Sequence, residues 1–113
     1  MDPAIEKLER ALSDPAGLYV GSAVDADAYL ADLTSDVRAH ICTPFPVSAT
    51  VMPPGFPAAE VGSVISGLCV AHRAGYWLIY QPEHDSFYCF WGSDSSNLGA
   101  HGVSGHPLYC WSA

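Results

Sequence analysis

The sequence is short of basic residues: four Lys and Arg stand against twelve Asp and Glu in 113 residues, for a formal net charge of -8. A surface of that sign repels phosphate backbones and anionic lipid headgroups, because both are bound by exchanging counterions for lysine and arginine contacts. Direct binding to nucleic acid or to a membrane surface is therefore not expected, and a cationic protein is the expected partner. Long apolar runs are missing as well. No stretch approaches the roughly 18 residues that a membrane-spanning helix needs. The start, Met1-Asp2-Pro3-Ala4-Ile5-Glu6-Lys7, lacks the basic-then-apolar order of a secretion signal. The expected location is cytoplasmic.

Paired cysteines are absent too. Cys42, Cys69, Cys89 and Cys110 are spread widely and show none of the C-x-x-C spacing of zinc or redox sites. In a reducing compartment they read as small buried hydrophobes. No phosphate-cradling Gly-Lys-Ser/Thr end and no His pair at helical spacing is present. The expectation is no cofactor and no metal.

Half of the residues are hydrophobic and 14% are charged, enough apolar material for a core in one domain covering 1–113 without a staple. Asp2 is a good N-cap, Pro3 suits the first helical position, and Ile5, Leu8 and Leu12 recur at helical spacing. Ser13-Asp14-Pro15-Ala16-Gly17 ends that helix, and Leu18-Tyr19-Val20 is a short strand or extended linker. Asp25 caps a second predicted helix, in which Ala26, Leu30, Leu33, Val37 and Ile41 form one apolar stripe that ends before Pro44-Phe45-Pro46.

The remainder reads as sheet. Strands are predicted at Val47–Met52, at Val61–His72 with a bulge near Gly67, at Tyr76–Tyr80, at Ser86–Trp91 and at Pro107–Trp111. Pro82-Glu83-His84-Asp85 is a turn, and 92–106 a loop. The expected fold is α+β: two N-terminal helices packed on an antiparallel sheet of about four or five strands. Alternation divides Trp77 and Ile79 from Tyr76, Leu78 and Tyr80. If helices cover one face only, the other exposes aromatic rings and offers a homodimer interface.

The sharpest functional feature is acidic. Asp25, Asp32 and Asp36 fall within roughly 40° of one another around the second helix, with Tyr29 beside them. Carboxylates and an amphipathic ring on a rigid element suit the basic site of a partner, such as a toxin or other enzyme. In size and charge alone the chain resembles the small acidic inhibitor and immunity proteins of bacteria and phages. That likeness implies a stoichiometric binder that occludes a partner's basic site, and it transfers no residue role. No catalytic residue is assigned. The alternative is a small enzyme or a ligand- or metal-binding domain built on the Gly-rich stretch 97–107 over an aromatic groove, with His84, His101, Ser104 and His106 as its polar groups. Gly102-Val103-Ser104-Gly105-His106 does not complete a nucleophile elbow, whose fifth position is glycine.

Overall fold

Asp2 starts the first helix as its sequence predicts: the side chain accepts a hydrogen bond from the Ala4 amide at 2.8 Å, and Pro3 takes the first helical position. The structure, a computed structural model, describes residues 2–14, 26–56 and 59–112. Its elements are α1 (Pro3–Leu12), α2 (Ala26–Ala39), β1 (Ile41–Val51), β2 (Val64–Arg73), β3 (Tyr76–Gln81), β4 (Ser86–Trp91), β5 (Leu98–Gly105) and α3 (Pro107–Ser112). The α+β class and the antiparallel pairing of consecutive strands are as predicted. The Leu18–Val20 segment and the Asp25 cap lie outside the described residues.

The sheet does not stay open. Consecutive strands pair antiparallel from β1 to β5, and Ala49, Thr50 and Val51 of β1 then pair in parallel with Leu98, Gly99 and Ala100 of β5, closing a five-stranded barrel. Two apolar layers result. Val47, Ala49, Val51, Ile65, Cys69, Ile79, Phe90, Leu98 and Ala100 come from all five strands and fill the barrel. Val70, Leu78, Tyr80, Phe87 and Cys89 face outward and are covered by Ala4, Leu8 and Leu12 of α1, Val37 of α2, and Leu108, Cys110 and Trp111 of α3. The predicted alternation along β3 holds, with Ile79 inside and Leu78 and Tyr80 outside. The expected open aromatic face does not form, because the second face of these strands is the barrel interior.

Several expectations need correction. Residues 98–105, read as loop because glycine recurs at every third position, form β5. Glycine serves close approach there: a Cβ on Gly102 (φ +87°) would lie 2.8 Å from the Gly55 carbonyl oxygen. Pro107–Trp111, read as a strand, is helix α3. Its N-cap is a histidine, His106, whose Nδ1 accepts from the Leu108 amide at 3.1 Å, so the usual Ser/Asp/Asn signal is missing. Ile41 does not continue α2 but opens β1, which runs through both prolines. That half of β1 has no β5 neighbour, so the missing proline N–H groups cost no ladder bond on that side. The predicted bulge in β2 lies at Val70, not Gly67: Cys69 pairs with Ile79 and Ala71 with Leu78, so Val70 is the extra residue. The two N-terminal helices also differ in placement, α1 lying against both β2 and α3 and α2 chiefly against α3.

Gly67 has a different role. A Cβ there would sit 2.5 Å from Ile79 Cγ2 and 2.9 Å from the Tyr80 carbonyl oxygen. Gly67→Ala should therefore force β2 and β3 apart and destabilise the fold by about 1–3 kcal/mol, seen as a lower urea midpoint. An unchanged midpoint would show that the strands have room to spare.

Candidate functional site

The acidic face of α2 divides into two. Tyr29 and Asp32, one turn apart, are exposed. Asp36, one turn further, points into a polar junction. Its carboxylate pairs with Arg73 Nη1 at the end of β2, and its Oδ2 accepts from Trp111 Nε1 on α3 at 2.6 Å. Arg73 Nη2 reaches the Trp111 carbonyl oxygen at 3.4 Å, and the guanidinium lies 4.6 Å from the centre of the Trp111 ring and 5.0 Å from that of Tyr76. His40 Nδ1 donates to the Asp36 carbonyl oxygen at 2.7 Å and its ring packs 5.8 Å from Trp111. Both the Asp36 and Arg73 side chains keep about a third of their surface in water (35% and 34%), so this junction is structural in its contacts yet reachable by solvent. The structure thus leaves Tyr29 and Asp32 presented outward, holds Asp36 against β2 and α3, and leaves Asp25 outside its described residues.

Sequence reasoning did not single out Arg73. A lone arginine closing an apolar strand in a chain with four basic residues is itself a signal, because such a cation needs a carboxylate close by. Lys7 and Arg38 follow the same logic: Lys7 pairs with Asp85 at 3.3 Å and Arg38 with Glu9 at 3.0 Å, tying α1 to the β3–β4 turn and α2 to α1.

The four residues of the alternative site are not brought to one point by any described hydrogen bond. His106 Nε2 donates to the carbonyl oxygens of Ala11 (2.8 Å) and Asp14 (3.0 Å) at the end of α1, while Nδ1 caps α3. Both ring nitrogens are engaged in joining two helix ends, which leaves none for proton transfer. His84 Nδ1 meets Gln81 Oε1 at 2.6 Å within its own turn. His101 is exposed and packs edge-on against the Trp91 ring at 5.3 Å. Ser104 is half-buried on β5 opposite Tyr88. Among the described residues, no group of three His, Cys, Asp or Glu side chains is arranged to hold a metal ion, and no helix is long and apolar enough to cross a membrane.

Burial pushes all four thiols up, Cys89 to about 12, so none is activated as a nucleophile in the way thiol catalysis requires. A cleft of about 310 Å³ lies between α1 and the β3–β4 turn and is lined by Lys7, Arg10, Asp14, Asp85, Phe87 and His106. Two cations there face two carboxylates, so the cleft carries little net field for a charged ligand. At its rim the Tyr80 hydroxyl donates to Asp85 Oδ1 at 2.6 Å. That bond to an anion, aided by burial, raises the Tyr80 hydroxyl to about 12, and the same bond, with help from Lys7, holds the Asp85 carboxyl below the usual range.

Two predictions follow from these contacts. Asp36→Ala should destabilise by about 1–3 kcal/mol by leaving Arg73 and the Trp111 N–H without their acceptor. Trp111→Phe, which keeps the ring and removes the N–H, should cost about 1 kcal/mol, with the double variant less destabilised than the sum. Strict additivity in urea melts would deny the coupling. For Tyr80 the folded state favours the protonated hydroxyl, so its share of stability is complete below pH 10 and is lost as pH rises through about 12. Asp85→Asn should move Tyr80 ionisation back toward 10 in an ultraviolet titration, and an unshifted curve would place the cause elsewhere.

No protein-family model matches the chain, and neither a curated protein nor a solved structure matches it.

Proposed function

We propose that this protein is a stoichiometric binding module, an inhibitor- or immunity-like protein that occludes a basic site on a partner, and that it uses the outward face of α2 centred on Tyr29 and Asp32. The observation that carries this reading is the division of the helix: Asp36 and Val37 anchor it, while Ala28, Tyr29, Ala31, Asp32 and Ser35 are all exposed on a held element. Small residues around one ring and one carboxylate leave a low ridge, which lets a partner surface come close around a central anchor. The anchor of this ridge is Tyr29, 37% exposed, whose ring brings large area at low entropic cost.

Charge supports the same reading. Lys7, Arg38 and Arg73 are each paired with a carboxylate inside the molecule. The acidic surplus, -8 over the chain, is therefore not offset by a basic patch built from these three, and it steers cationic partners toward the surface. Within this reading Asp36 acts as the support of the helix and Asp32 as its contacting carboxylate. The enzyme alternative over residues 97–107 draws less support, since His106 is committed to two helix ends and His84 to Gln81.

The test is affinity capture from cells of the native source with parent and variant chains side by side. A partner held by the parent should be released as salt is raised, and Tyr29→Ala with Asp32→Asn should weaken its binding about 30-fold or more while leaving the urea midpoint unchanged. Capture of the same protein by both chains with equal strength would remove α2 as the contact surface.

A further inference from the structure

The fold gathers cysteines that the sequence keeps apart. Cys42 near the start of β1 and Cys69 in β2 are 27 positions distant, yet the Cys42 thiol donates to the Cys69 carbonyl oxygen at 3.6 Å, and Cys42 packs against the barrel cluster that contains Cys69. The local backbone explains the approach. Ile41 pairs with Ala71 and Phe45 with Cys69, so Cys42, Thr43 and Pro44 face the single residue Val70. The irregularity leaves Cys42 outside the regular ladder register, beside Cys69, and a disulfide between them needs a Cα separation of about 4.4–6.8 Å. Exposure differs between them: Cys42 is half-buried and open to small reagents, whereas Cys69 is wholly buried behind it.

We propose that Cys42 and Cys69 form a thiol–disulfide site, in which Cys42 meets a low-molecular-weight disulfide and Cys69 resolves the product. In the first step the Cys42 thiolate attacks one sulfur of RSSR, giving Cys42–S–S–R, and RS⁻ leaves to be protonated to RSH. In the second, the Cys69 thiolate attacks Cys42 Sγ, the Cys42–Cys69 bond forms, and the second RS⁻ leaves. The two protein thiols lose two electrons and two protons, and one RSSR becomes two RSH. The crosslink ties β1 to β2 across the irregularity and closes the intervening loop. Burial holds both thiols above their ordinary range, so exchange is slow near neutrality and accelerates as the pH is raised. Cys89 and Cys110 provide an internal control. Cys89 on β4 and Cys110 on α3 are both buried in the helix-covered layer, away from the exposed position of Cys42.

The experiment treats the folded full chain with oxidised glutathione at mildly alkaline pH, alkylates the remaining thiols, and reads intact mass and peptide map. The urea-unfolded chain, in which every thiol reacts, verifies the oxidant. The expected product carries two alkylated thiols, retains no glutathione, and contains a Cys42–Cys69 linkage that reduced glutathione reverses. Cys89→Ser should still form it. Cys42→Ser, a conservative change at a half-exposed position, should leave all three remaining thiols alkylated. Four alkylated thiols after prolonged exposure, glutathione held stably on Cys42, or linkage through Cys89 or Cys110 would each overturn the assignment.

Discussion

Three residue pairs decide the architecture: Ala49, Thr50 and Val51 of β1 lie parallel to Leu98, Gly99 and Ala100 of β5 and turn a meander into a barrel. Once that seam is made, the inner faces of the strands are withdrawn from water and need apolar side chains, which Val51, Ile79, Phe90 and Ala100 supply. The outer face is apolar too, so it requires separate cover. The three described helices supply it, α1, α2 and α3 all contributing side chains to the cluster that holds Leu78, Tyr80 and Cys89. β3 and β4 are thus buried on both sides, which is why they read as near-continuous apolar runs with little alternation. Burying a Leu or Ile side chain is worth about 1.5–3 kcal/mol, and the seam is what makes the inner layer available for it.

The helices are held to the barrel by few polar contacts, and the densest of them is the junction of Asp36, Arg73 and Trp111. It joins α2, β2 and α3, three segments far apart in sequence. An exposed ion pair alone contributes little, but this one adds a charge-assisted bond to an indole N–H and a cation stacked on two rings. The consequence for function is a division of labour along one helix. Asp36 is taken up by the fold, whereas Tyr29 and Asp32 remain exposed, which is why the proposed contact is centred on them.

Legibility in the sequence followed the physical range of each signal. α1 and the β3–β4 hairpin were readable because their determinants are local: a capping aspartate followed by proline, and two aromatic runs around a turn. β5 and α3 were misread because their determinants are not local. Gly102, which looks like loop in a linear reading, is required where β5 passes the Gly55 backbone, and α3 is capped by a histidine that also bonds to the end of α1. Six residues are too few for helical periodicity to declare itself against an aromatic, strand-like composition. The acidic cluster was partly readable for the same reason. Helical spacing places Asp32 and Asp36 near one another, but only the long-range partner, Arg73, reveals that one of them faces inward.

The distribution of the basic residues carries the functional argument furthest. In a chain with twelve carboxylates and four cations, three cations serve as ties between elements: Lys7 to the β3–β4 turn, Arg38 to α1, and Arg73 to α2 and α3. Each tie neutralises a carboxylate at a joint and leaves the acid elsewhere unopposed. Arg10, the remaining cation, lines a cleft beside Asp14 and Asp85, so its field is offset as well. Positive charge turned to internal joints and negative charge left outward is the arrangement on which the proposed recognition by a basic partner rests. In that proposal the contact falls on the exposed ridge of Tyr29 and Asp32, carried on a helix that Asp36 and Val37 fix from behind.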